Sequence, residues 1–144
     1  VRIPVVARQV LVRRARVAHQ ADVAQRDRQA LADELLAAID ALGPAIYHTH
    51  AKDTFINKPV CATTSRLENG SLVDIPARAW SYITLGYGNG ESWWRDFCYR
   101  LRMVGYDGWL SIEHEDVMLS REEGVLKSVE LLRNVAPSEA SDYK

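Results

Sequence analysis

Apolar residues recur at helical spacing in three stretches of this chain, with two short apolar runs between them. Leu31, Leu35, Leu36, Ile39 and Leu42 mark the first stretch, and Gly43-Pro44 ends it. In the second, Trp93, Trp94, Phe97, Leu101 and Val104 line one side, with Gly105 as a C-terminal stop. The third opens on Ser120 and Glu123, which have the spacing of a capping box. Val125, Leu126, Val129 and Leu132 form its apolar face, and Pro137 closes it. The runs at 45–51 and 108–113 are short and mixed apolar, which predicts buried strands. Residues 53–90 show no helical period and carry Pro59, Asn69-Gly70, Pro76, Gly86, Gly88 and Gly90, which predicts a long loop.

The predicted order is helix, strand, long loop, helix, strand, helix. Strands alternating with helices define an α/β chain with parallel pairing. Two strands cannot by themselves form a parallel sheet covered on both faces. More sheet upstream, or a partner chain, is expected to complete it. An exposed strand edge also favours self-association, so a homo-oligomer is one expected partner state.

Both predicted strands end in ligand-type residues: His48-Thr49-His50-Ala51-Lys52-Asp53 and Glu113-His114-Glu115-Asp116. In parallel α/β folds, function collects at the carboxyl ends of strands. His48 and His50 are two apart and share a strand face. Imidazole with carboxylate suits zinc, manganese, cobalt or magnesium, and such an ion polarises a sugar carbonyl and its neighbouring hydroxyl. A carboxylate beside it moves a proton on and off carbon. Each residue also has a plainer reading. A strand-end His is commonly a hydrogen-bonded structural residue, Glu115 and Asp116 are solvated acids, and Lys52 with Asp53 is a surface pair. Trp93 and Trp94 read as core residues rather than a sugar-stacking platform.

Composition narrows the classes. Of the 144 residues, 47% are hydrophobic and 26% charged, and the net charge of -1 provides no field for nucleic acid or an anionic membrane. No apolar run reaches the ~18 residues of a membrane span, and no secretory signal is evident. Cys61 and Cys98 read as reduced thiols, and the expected compartment is cytoplasmic. The charge is unevenly placed. Residues 1–30 hold seven arginines and neither lysine, glycine nor aromatic residue. Without aromatics to stack on bases, a nucleic-acid arm is a weak reading of that segment. A solvated, partly helical tail and a stretch foreign to the rest of the chain are the alternatives.

Two segments carry a resemblance. "IYHTHAKD" (46–53) and "GYDGWLSIEHED" (105–116) resemble the sugar phosphate isomerase/epimerase family, whose members have the xylose-isomerase-like TIM barrel. "LGYGNGESWWRDFCYRLRMVGYDG" (85–108) fits the same pattern. The resemblance implies that residues 31–137 are the C-terminal part of a (β/α)8 barrel, with the strands near 45–51 and 109–114 as its seventh and eighth. Residues 1–30 then form a separate arginine-rich segment and 138–144 a polar tail. It also implies a divalent metal (Mn, Mg, Co or Zn) held by His50 and Glu113, with Glu113 doubling as acid/base on the sugar carbon. His48, Lys52 and Asp53 become contacts to a sugar or sugar phosphate, or supports of the ligands.

The sequence departs from that pattern in two places. The family's other two ligands, a Glu and an Asp, belong upstream, where residues 1–30 offer only Asp22 and Asp27, neither after a strand-like run. A truncated or frame-shifted family member is the simplest expectation. A basic residue expected near 81–83 is replaced by Ser81, Tyr82 and Ile83. The expected function is therefore a metal-dependent sugar isomerase or epimerase by ancestry. The alternatives are a non-catalytic barrel remnant and a polyol dehydratase of the same family. A metal-dependent endonuclease fits poorly with near-neutral charge and few histidines.

Overall fold

A computed structural model describes residues 34–140 and Asp142. The arginine-rich segment 1–30, the predicted helix start at Leu31 and the last tail residues lie outside the described residues. The chain divides into two compact units, residues 1–38 and 39–144. Of the first, residues 34–38 are helical, with Leu36 buried.

In the second unit residues 39–42 are helical, and Ile39 is buried. Gly43, at φ +50°, and Pro44 then tighten the chain into a 3-10 turn at Gly43–Ala45. Next come β1 (Thr49–Ala51), β2 (Asp53–Ile56), the single turn α1 (Lys58–Cys61), β3 (Trp80–Ile83), α2 (Glu91–Met103), β4 (Leu110–Ile112) and α3 (Arg121–Val135). The fold is mixed α/β, with two two-stranded sheets and no closed barrel among the described residues. β1 and β4 pair in parallel, and β2 and β3 pair antiparallel. Both strands of the parallel pair are shorter than the apolar runs that predict them.

The long loop expected over 53–90 is instead an ordered excursion. β2 and β3 align Asp53 with Ile83 and Ile56 with Trp80. Strands this short, paired across a wide sequence gap, carry no local period, so only tertiary context defines them. Between them the chain is tied down by buried Arg78. Its guanidinium donates to Glu68 Oε2 at 3.2 Å and to the Gly70 carbonyl at 2.6 Å, and its Nε donates to the Trp80 carbonyl. Glu68 Oε1 accepts from the Ala79 amide, so one ion pair closes the excursion onto the start of β3.

The helices follow their sequence signals. Ser120 Oγ accepts from the Glu123 amide at 3.2 Å and caps α3. α2 ends where Gly105 takes φ +80°: its amide donates to Arg102 O and that of Tyr106 to Leu101 O, the double bond of a Schellman stop. α2 and α3 pack together, and α3 contacts β4. Trp94, Phe97, Cys98 and Leu101 from α2 join Leu132 and Val135 from α3, Leu85 and Ala51 as the core. Trp94 is 1% exposed and belongs to the core, as the helical spacing predicts, while Trp93 is half-buried and stacks on Phe97 at 5.5 Å. Both cysteines are free thiols, and burial pushes that of Cys98 up to about 11.

Candidate functional site

The parallel pair fixes the site. In register, His50 lies opposite Ser111 and Ala51 opposite Ile112. Alternation along a strand places Ala51 on the inner face, where it is fully buried. His50 of β1 and its flanking residues His48 and Lys52 then meet Ser111 of β4 and Glu113 and Glu115, which follow its end. The side chains meet across the two strands. His48 Nε2 lies 3.0 Å from Ser111 Oγ. The His48 and His50 rings meet edge to face at 4.9 Å. Lys52 Nζ donates to Glu113 Oε1 at 2.7 Å and stands 3.0 Å from Glu115 Oε2.

Glu113 faces two partners at once. Oε1 takes the Lys52 ammonium, and Oε2 lies 3.8 Å from His50 Nδ1. The bond from Lys52 holds the Glu113 carboxyl below its usual range against the opposing effect of burial, and the charges of Lys52 and His50 add to this. For Lys52, burial works against the charge, but the bonds to Glu113 and Glu115 outweigh it and raise its pKa. The ammonium also sits 3.8 Å above the ring of Tyr82 from β3. Lys52 is thus enclosed by two carboxylates and an aromatic face, while the His50 side chain is 60% exposed.

Of the predicted residues, His48, His50, Lys52 and Glu113 come together on this face. Asp53 does not. Its alternation turns it inward, and it is fully buried. Its carboxylate accepts from the amides of Thr54, Gly86, Gly88 and Asn89, from Asn89 Nδ2 and from the Trp94 indole. It pins the glycine-rich loop 86–89 against β2, a supporting position rather than an outward one. Gly88 must approach so closely that a Cβ there would lie 2.4 Å from the Thr54 carbonyl oxygen.

Sequence reasoning named Glu115 in the strand-end cluster without assigning it a partner, and gave Ser111 and Tyr82 no role at the site. Two-residue alternation from Glu113 along the predicted strand gives Ser111, and only its continuation past the strand end gives Glu115. Tyr82 has no such signal, because β3 has none. Asp116, read as a solvated acid, is buried. Oδ2 accepts from the Thr84 amide and hydroxyl, both at 2.8 Å, and Oδ1 from the Met118 and Leu119 amides. Burial pushes its carboxyl up, but these four bonds win and hold it below the usual range.

Among the described residues, no group of three or more His, Cys, Asp or Glu side chains is arranged to hold a metal. His50 and Glu113 supply a pair. Their 3.8 Å separation is close to the ~3–3.5 Å between two ligands each about 2.1 Å from one ion. The pair fits a partial metal shell. Also among the described residues, no helix is long and apolar enough to cross a membrane.

A mixed α/β unit with polar side chains at the ends of a parallel strand pair is the class that fold and site define. No family model matches the chain. It is similar to uncharacterized protein YfiH of Bacillus subtilis (strain 168), 40% identical over 102 residues, or 71% of this chain and 32% of that protein. The chain therefore spans about a third of the length of the relative it matches.

Proposed function

We propose that residues 31–137 are the C-terminal part of a xylose-isomerase-like TIM barrel of the sugar phosphate isomerase/epimerase family, with β1 and β4 as its last two strands. In this reading the outer face is one side of a divalent-metal site for a sugar or sugar phosphate. The observation that carries it is the register of the parallel pair, which brings His50 and Glu113 to within 3.8 Å at adjacent strand ends. The matched segment is only 32% of the relative, which leaves chain there for the remaining strands and ligands.

His50 Nδ1 and Glu113 Oε2 would hold the ion (Mn, Mg, Co or Zn), which when bound supplies Lewis acidity toward two neighbouring sugar oxygens. Glu113, kept ionised by Lys52, takes a proton from the sugar carbon and returns it. His48 steadies the His50 ring through their edge contact and is itself steadied by Ser111. Lys52 meets a sugar hydroxyl or phosphate, and Asp53 keeps the loop beside it in place. A polyol dehydratase would use the same groups.

A second reading is a non-catalytic remnant. It draws on the absence of a third metal-ligating side chain among the described residues.

Manganese titration followed by NMR separates the two. Paramagnetic broadening is expected at the His48 and His50 rings well before the His114 ring, and Glu113→Ala should remove that preference. If all three rings broaden in parallel, the metal reading fails and the remnant reading stands.

A further inference from the structure

We propose that Asn69–Gly70 is a site of spontaneous covalent modification, guarded by Glu68 and Arg78, and that its conversion opens the clasp that closes the excursion onto β3. The chemistry needs only base and water. The Gly70 amide nitrogen gives its proton to base and attacks Cγ of the Asn69 carboxamide. The bond from Cγ to the carboxamide nitrogen breaks, ammonia leaves, and a five-membered succinimide remains. Water adds to either of its carbonyls and opens the ring to aspartate or to isoaspartate. A glycine in second place favours the attack, because no Cβ hinders its nitrogen.

The chain has two Asn-Gly pairs, Asn69–Gly70 and Asn89–Gly90, and the fold restrains them differently. Asn89 is half-buried, and its carboxamide, the group to be attacked, is fixed by the bond from Nδ2 to Asp53 Oδ1 at 2.8 Å. Asn69 is exposed, and its carboxamide makes no hydrogen bond to another described residue. At this pair the attacking nitrogen is held instead. The Gly70 N–H donates to Glu68 Oε2 at 2.7 Å. That oxygen also accepts from Arg78 Nη1 at 3.2 Å, and the same Nη1 donates to the Gly70 carbonyl at 2.6 Å. The bond from Gly70 holds the Glu68 carboxyl below its usual range against the opposing effect of burial, so the acceptor is charged at neutral pH. A hydrogen bond to a charged acceptor keeps the proton on the nitrogen, and attack waits for local opening.

Conversion undoes the guard. In isoaspartate the main chain runs through the former side-chain carbon and is one atom longer between Glu68 and Gly70. The Gly70 amide and carbonyl then no longer meet Glu68 and Arg78 together. Arg78 is 4% exposed and loses an acceptor, and Glu68 also carries the Ala79 amide at the start of β3. β3 places Tyr82 over Lys52, so the modification reaches toward the strand-end face without any metal being involved.

The test is ageing of the full chain in warm, mildly alkaline buffer. Mass spectrometry reads replacement of carboxamide by carboxylate in the tryptic peptides 67–78 and 79–95, each of which holds one asparagine. The urea-unfolded chain gives the unguarded rate of each pair. In the native chain Asn69 should convert about ten-fold more slowly than that, the factor that one hydrogen bond to a charged group supports. Glu68→Ala should restore most of the unguarded rate at Asn69, and Glu68→Gln, which keeps an uncharged acceptor, should fall between. Neither should change Asn89. Asp53→Asn should speed Asn89 and leave Asn69 as it is, which separates loss of a guard from general unfolding. Native chains converted at Asn69 should be cut after Arg78 by a brief trypsin pulse that unconverted chains resist. If Asn69 converts as fast in the native as in the unfolded chain, or if Glu68→Ala leaves its native rate unchanged, the guard is overturned. If converted chains resist trypsin at Arg78 as well as fresh ones do, the opening of the clasp is overturned.

Discussion

The ring of His114 rests on Gly124, the position of α3 that has no side chain. A Cβ built at Gly124 would lie 2.1 Å from His114 Cε1. This glycine is therefore chosen for a close approach, since it sits inside a helix where glycine costs about 1 kcal/mol relative to alanine. It lets α3 lie close to the chain that leaves β4 at His114.

Gly124→Ala should destabilise the fold. Displacing the half-buried ring costs about 1–3 kcal/mol, and better helix propensity returns about 1 kcal/mol. With the ring removed by His114→Ala, the same Gly124→Ala change should stabilise by about 1 kcal/mol. Urea denaturation of the four proteins checks the sign reversal. Equal effects in both backgrounds would mean that the ring does not set the spacing.

Asp53 is the heaviest single support of the loop. Asp53→Asn puts an amide where the Gly86, Gly88 and Asn89 N–H groups now point at oxygen. The buried donors left unpaired should cost about 2–4 kcal/mol in urea denaturation. Amide exchange should quicken at 86–89 before it does in α3. Unchanged protection in the loop would show that Asp53 does not hold it.

Asp116 gives stability a particular pH dependence. Its carboxyl is held below the usual range in the fold. A group depressed on folding contributes stability that is fully present above its unfolded pKa of about 3.9 and is lost as pH falls through the lower folded value. Below about pH 4, stability should therefore fall with a slope that Asp116→Asn reduces, although the variant is less stable at pH 7. Parallel acid profiles for the two proteins would remove Asp116 as the cause.

The helices were legible in the sequence because their signals are local: the period of Trp94, Phe97 and Leu101, the Ser120 cap and the Gly105 stop. The strand ends at His50 and Glu113 were visible too, because ligand-type residues follow short apolar runs. What escaped was made by distance. β2 and β3 recognise each other across the excursion closed by Arg78 and Glu68, and no period within Asp53–Ile56 announces it. The same holds for Asp53. Its polarity next to Lys52 reads as surface, and only the amides of residues 86–89, brought in by the fold, explain why a carboxylate is fully buried there. Glu115 and Asp116 are adjacent and chemically alike, yet one faces Lys52 and the other is sealed by Thr84. Both lie beyond the strand end at Ile112, so strand alternation does not by itself separate them, and only the contacts made by the fold do.

The most direct test of the central claim is metal content in a complete chain. Residues 39–137 would replace the matching segment of Bacillus YfiH, and the purified, folded chimera would be measured for bound divalent metal after growth with manganese. About one ion per chain, lost in both His50→Ala and Glu113→Ala without loss of folding, is the result expected if these two side chains belong to a shared metal shell. A folded chimera that holds no metal, or one that keeps its ion in both variants, would contradict the account.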